Sequence, residues 1–267
     1  MFAGVGLGIL FSGSAVPMLL KVSITLAWVV VAVAGLLAAL FVTVAVYRSL
    51  PNRPTSTPVP SSPPSSSRAP TQSPPRTLVW YLLVAASALF SFSIVPHTIY
   101  WFDYISRVNG LGDVIAGHHW MAIGVAGIAG PLLAARLAGS LGTRTATATG
   151  FVLLAIGVGL PFFAQRQTAL WISTLLFGLQ PGVSGLIATR VRDIGTAEQV
   201  LAMMRIVILA NGVGAAAGGL LFPVIFAGAG FSGAGHAGAG GYSIVFLVGG
   251  VGFVIGAACC LGPARRE

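Results

Sequence analysis

LVWYLLVAASALFSFSIVPHTIYWFDYISRVNGLGD, residues 78 to 113, joins two kinds of sequence in one run. Residues 78–95 carry no charged side chain, and their apolar positions do not alternate. About 20 such residues, coiled as a helix, cross a hydrocarbon layer about 30 Å thick. A barrel strand would be shorter and would alternate. From Pro96 onward the run gathers His97, Tyr100, Trp101, Asp103, Tyr104 and Arg107. Hydrocarbon does not solvate an ionisable group, so polar residues at this depth imply a functional site or a partner.

The same ruler, moved along the chain, finds eight apolar segments, at about 2–20, 22–47, 78–102, 113–134, 145–164, 168–189, 201–227 and 242–262. Of 267 residues, 56% are hydrophobic and only 7% charged, and the mean hydropathy is +0.93. A water-soluble globule needs about a quarter of its residues charged, so this chain cannot cover one. The expected fold is an all-α membrane protein with eight transmembrane helices. Residues 51–76, PNRPTSTPVPSSPPSSSRAPTQSPPR, are mostly Pro, Ser and Thr and build no core. They divide the chain into two helices (1–47), a disordered cytoplasmic linker (48–77), a six-helix portion (78–262) and a short cytoplasmic tail (263–267).

The net charge of +9 would suggest nucleic acid in a soluble protein. Here the positive residues lie at segment ends and set topology, so nucleic acid is not expected as a partner. Arg48, Arg53, Arg68 and Arg76, then Arg136 and Arg144, then Arg190 and Arg192, then Arg265 and Arg266 mark alternate loops as cytoplasmic. Both termini are thereby expected in the cytoplasm of a plasma (inner) membrane protein. The first segment disagrees, because Lys21 follows its far end and no positive charge precedes it. That conflict disappears if further helices precede Met1.

At helical spacing His97, Tyr100, Trp101 and Tyr104 share one face. They read either as the aromatic wall of a substrate cavity with one titratable imidazole, or as an interfacial aromatic belt. Asp103 and Arg107, at i and i+4, are a coupling or gating pair or a surface ion pair of small value. Arg205 attracts an anionic substrate or snorkels to headgroups. Asn211 and Gln180, the latter just before Pro181, bind substrate or hydrogen-bond to a neighbouring helix. His118 and His119 point about 100° apart on a helix and read as interface residues. His236, in a Gly-rich loop, reads as solvated. Gly4/Gly8, Gly214/Gly218 and Gly252/Gly256 have the small-xxx-small spacing of close helix crossings.

No metal or cofactor is expected. Cys259 and Cys260 are neighbours with no ligand spacing. The chain contains neither HExxH nor GxSxG, and no P-loop, so an enzyme is not expected.

PHTIYWFDYISRVNGLG resembles the seventh-helix motif of the YbfB/YjiJ-type branch of the major facilitator superfamily, in which a Pro-His-Thr stretch leads into Asp-Tyr-Ile and a Gly-rich turn. MFAGVGLGILFSGSAVPMLL and SITLAWVVVAVAGLLAAL are similar to the fifth and sixth helices of that branch. The eight segments would thus match helices 5–12 of the fold, with the first four absent. ARLAGSLGTR, residues 135–144, resembles the superfamily loop motif: Gly142 and Arg144 match, while Gly139 and Ser140 replace its Asp-Arg pair. The resemblance implies a secondary transporter in which two halves rock about a midplane site. It also implies a small organic substrate, an ion or proton gradient, and the lipid bilayer as surroundings. Self-association or an N-terminal half would complete the cavity. The alternative is a truncated structural or regulatory fragment, inactive without that partner.

Overall fold

The computed structural model describes residues 3–49, 77–230 and 239–262. Linker residues 50–76, the loop bearing His236 and the tail with Arg265 and Arg266 lie outside the described residues; Arg48 and Ser49, expected in the linker, end helix 24–49, and Thr77 caps the helix that follows. Among those described, six helices are long and apolar enough to cross a bilayer: Ile24–Arg48, Leu78–Val108, Gly112–Phe163, Gln167–Ile194, Ala197–Gly228 and Gly240–Cys260. A shorter apolar helix covers Gly4–Leu20.

Helix 112–163 has 52 residues, which would extend about 78 Å if straight and far exceed one bilayer crossing. It is not straight. Gly142 has φ 74° and ψ 156°, a conformation that only glycine adopts without strain. Glycine contacts reveal what the break does. Gly127 meets Gly178 and Pro181 while Gly130 meets Leu179 and Gly182, so the arm before Gly142 runs parallel to helix 167–194. Gly150 meets Val183 while Gly157 meets Leu176 and Phe177, so the arm after it runs antiparallel. The chain therefore reverses at Gly142, and 112–141 and 143–163 flank helix 167–194 in opposite senses.

The same reading extends to the other helices. Ser93 lies on Gly249 and Gly252, and Leu82 on Gly262, so helices 78–108 and 239–260 are antiparallel. Gly214 meets Ala88 and Gly218 meets Phe92 and Val95, so helices 78–108 and 197–230 are parallel. Phe151 meets Gly256 and Gly159 meets Gly250 in an antiparallel crossing. From 78 to 260 the runs alternate in direction. Large side chains fill the space between crossings: Phe90, Phe151, Leu154, Phe177, Phe246 and Phe253 are all buried. The spacing expected at Gly214/Gly218 and Gly252/Gly256 is used.

Residues 3–14 pack with this bundle, and residues 15–49 form a second compact unit. The crossing of helix 3–20 corrects one expectation. Gly4 and Gly8 meet nothing; instead Gly6 faces Gly124 and Gly127, and Gly13 faces Trp120 and Met121. The opposing glycine, Gly124, selects which face of the helix approaches. Helix 24–49, in the second unit, is apolar on every side, with Ala27 its one buried hydrophobic residue among those described.

Candidate functional site

Pro96 has no N–H, so the carbonyl of Phe92 loses its helical partner. The ladder slips into a π-turn over Pro96–Tyr100, and a second π-turn covers Tyr104–Val108. Such wide turns recur at functional sites. The run then stops where Gly110 and Gly112 take positive φ and Asn109 Nδ2 donates to the Tyr104 carbonyl at 2.9 Å.

The wide turns sort the four aromatic-face residues. His97, Trp101 and Tyr104 line up and are fully buried. The imidazole stacks on the Trp101 indole at 4.3 Å between centroids, and Trp101 stacks on Tyr104 at 5.8 Å. Phe177 and Phe246 close the other sides of His97. Tyr100 is turned aside, half-buried against Phe226 and Tyr242.

Helix 167–194 supplies the polar partners. Ser173 Oγ donates to the Gly157 carbonyl at 2.6 Å, and His97 Nε2 lies 2.8 Å from the same oxygen. Thr174 Oγ1 donates to the Leu170 carbonyl at 2.8 Å and accepts from Trp101 Nε1 at 3.2 Å. His119 Nδ1 meets that hydroxyl at 2.6 Å, and its ring stacks on Trp171 at 3.8 Å. His119 is thus fully buried in the same network, contrary to the reading of it as an interface residue; His118 is exposed. Sequence spacing missed it because His119 reaches Thr174 from another helix, 55 positions away. Its neighbour Trp120, with Trp171 on the facing helix, was the available signal.

At this end of the bundle Asp103 links two helices. Its carboxylate pairs with Arg107 at 3.0 Å and accepts a hydrogen bond from the Tyr242 hydroxyl. Ser106 donates to Asp113. The Tyr104 hydroxyl is buried without a partner. The other candidates lie apart. Arg205 is exposed, Asn211 is half-buried with Oδ1 unpartnered, and Gln180 is half-buried beside Pro181.

At the opposite end Gly142 forms the reversal, and its neighbours tie it down. Thr143 donates to Asp193 at 2.5 Å, and the Arg144 guanidinium donates to the carbonyls of Leu261 and Gly262. Arg144 thereby caps the C-terminal end of helix 239–260, where orphan carbonyls need donors.

A groove of about 390 Å³ between helices 143–163 and 239–260 is lined by apolar residues such as Val152, Ile156, Phe163 and Val254. It offers no polar group to orient a solute. Among the described residues no cluster of three or more His, Cys, Asp or Glu is placed to hold a metal.

The family model described as "Uncharacterised MFS-type transporter YbfB" matches residues 1–261. The chain belongs to this YbfB-type transporter family. It is therefore a multi-pass membrane transporter and not an enzyme. No curated protein and no solved structure matches it. Family membership accounts for helices whose outer faces are apolar.

Proposed function

We propose that this YbfB-type protein is a secondary active transporter. It moves a small organic solute across the plasma membrane by alternating access, coupled to an ion or proton gradient, with both termini cytoplasmic. The observation that carries this reading is the His97 imidazole, buried among Trp101, Phe177 and Phe246 with Nδ1 unpartnered. Such a group in hydrocarbon is costly unless it is used. Trp101 and Tyr104 form the aromatic wall beside it, Tyr100 lies outside that wall against Phe226 and Tyr242, and Gln180 and Asn211 offer amides to a polar solute. Asp103, Arg107 and Tyr242 hold helices 78–108 and 239–260 together at one end, where separation would open a path inward. Arg205 draws anionic solutes to the other end. Gly142 and Arg144 anchor the cytoplasmic turn.

The test is uptake of a panel of labelled small organic solutes into proteoliposomes under an imposed pH gradient. His97→Ala should abolish the uptake seen with the unsubstituted chain while membrane insertion is retained. Normal transport by that variant would refute the role of His97.

A second reading is that the chain acts only with a partner surface, whether a second copy or an N-terminal half. It is favoured by helix 197–230, whose apolar window is 17% buried against 44–56% for the windows of 78–108, 112–163, 167–194 and 240–260. Uptake measured with and without a co-expressed N-terminal half separates the two readings.

A further inference from the structure

Ser173 and Thr174 are consecutive, and each gives its only hydroxyl proton to a backbone carbonyl, Gly157 and Leu170 respectively. Neither hydroxyl has a proton left for an imidazole, so each can only accept from one. That fixes the protons on the rings. His97 carries hydrogen on Nε2 and donates to Ser173, and His119 carries hydrogen on Nδ1 and donates to Thr174. The remaining nitrogens, His97 Nδ1 and His119 Nε2, are buried with no partner. In the neutral rings both are bare lone pairs inside a membrane bundle. Hard cations prefer oxygen ligands, and an imidazole nitrogen offers none. The ligand suited to such a nitrogen is a proton.

We propose that His97 and His119 together form one proton-binding site, in which either ring takes the proton and the second then charges less readily. This deepens the transporter reading, on which it rests, by naming the coupling ion and adding His119 to the site. The aromatic neighbours offer support to one charge rather than two. Trp101 stacks on His97 and meets His119 edge-on at 6.2 Å, and Trp171 stacks on His119 at 3.8 Å. Indole faces stabilise a cation. Contact through Trp101 holds the two imidazoles within roughly 10 Å, where a first charge weakens binding of a second proton about tenfold at the effective dielectric of protein interiors.

The other titratable groups on the elements around the rings are accounted for. On helix 78–108 the nearest are Tyr104, Tyr100, which is turned aside against Phe226 and Tyr242, and, further out, Asp103 and Arg107, which pair with each other. Asp103 also accepts from Tyr242, the tyrosine of helix 239–260. On helix 112–141 they are His118, which is exposed, and Asp113, which accepts from Ser106. Among the described residues, helices 143–163 and 167–194 present Gly157, Ser173, Thr174, Trp171 and Phe177 to the rings, none of which titrates.

The experiment uses the full chain in nanodiscs and does not require a substrate. Imidazole 15N resonances and tryptophan fluorescence are followed from about pH 9 to pH 4, across the range in which histidines titrate. The expected result is hydrogen on Nε2 of His97 and on Nδ1 of His119 at high pH, and one proton bound by the pair before a second enters at least tenfold more weakly. With either His97→Gln or His119→Gln, the remaining ring should bind its proton about tenfold more tightly than the unsubstituted pair binds its second proton. Ser173→Ala, which keeps both rings, should release the His97 tautomer. Independent titration of both rings, rings that stay neutral throughout, or the opposite tautomers would each overturn the proposal. Uptake measured on the same preparation separates the readings. Transport with rings that never charge sinks the proton site and leaves the transporter, whereas titrating rings without gradient-driven uptake preserve the site and count against the transporter.

Discussion

Gly6 and Gly8 lie two positions apart on helix 3–20, and the same substitution should have opposite signs at them. A methyl group at Gly6 would sit 2.6 Å from the Gly124 oxygen and 2.7 Å from the Ile128 nitrogen. Carbon contacts are comfortable near 3.5–4.0 Å, so helices 3–20 and 112–141 would have to part by about 1 Å. A gap of that size forfeits about a quarter to a half of each dispersion contact along the crossing. In hydrocarbon, dispersion and hydrogen bonding hold helices together, because lipid tails are as apolar as the side chains. Gly6→Ala should therefore cost about 1–3 kcal/mol, as overpacking does elsewhere. A methyl at Gly8 meets nothing within 4 Å. There, alanine's better helix propensity dominates, a gain of up to about 1 kcal/mol. The two variants have identical composition, so mass, charge and hydropathy cannot explain a difference between them. Reversible denaturation in mixed micelles, followed by the fluorescence of Trp120, is the assay. That indole donates to Ser12 Oγ across this crossing at 3.3 Å and reports its separation. Equal midpoints, or a more stable Gly6→Ala, would refute the crossing.

Gly142→Ala places a side chain at φ 74°, ψ 156° and should cost about 1–3 kcal/mol in the same denaturation assay, whereas the exposed helical Gly139→Ala, a control with nothing within 4 Å, should cost nothing and gain up to about 1 kcal/mol. Arg144→Met removes the donor to Leu261 and Gly262; amide exchange should quicken in the last turn of helix 239–260 and leave its centre unchanged. Asp103→Asn breaks a pair whose arginine is 80% exposed, so its effect on stability should be at most about 1 kcal/mol by denaturation, while cross-linking between helices 78–108 and 239–260 near Tyr242 should fall.

The apolar runs were readable from the chain because hydrocarbon demands length and hydropathy, and both are properties of sequence alone. The Asp103–Arg107 pair was readable for a similar reason, since i and i+4 are neighbours on any helix. Four features were not. The reversal between the fourth and fifth segments was expected as a loop over 135–144, yet helix continues to residue 141 and the turn rests on Gly142 alone. The face of helix 3–20 that makes the crossing depends on Gly124, which belongs to another helix, so Gly4/Gly8 had the right spacing on the wrong side. His119 has neutral neighbours in sequence, and its partner Thr174 is found only once helices 112–141 and 167–194 run parallel. The placement of Tyr100 away from His97 follows from the carbonyl that Pro96 leaves free, which a regular 3.6-residue period does not anticipate.

Placing both histidines inside the bundle joins chemistry to packing. Ser173 and Thr174 sit on helix 167–194, His97 and Trp101 on 78–108, His119 on 112–141, and the carbonyl of Gly157 on 143–163. Four helices thus meet through two adjacent hydroxyls, each with its proton already committed. A charge gained by either ring must be answered by rearrangement, because the hydroxyls cannot reverse without giving up a backbone carbonyl. The unpartnered nitrogen then becomes an N–H donor with nothing to receive it, an unfavourable state in a dry interior. Relief requires water, a solute carbonyl or a carboxylate, and any of these enters only if the helices part. The aromatic stack keeps the closed packing stable while the rings are neutral. If the pair is the proposed proton site, protonation makes an opened arrangement, with a polar molecule beside His97 or His119, the better one.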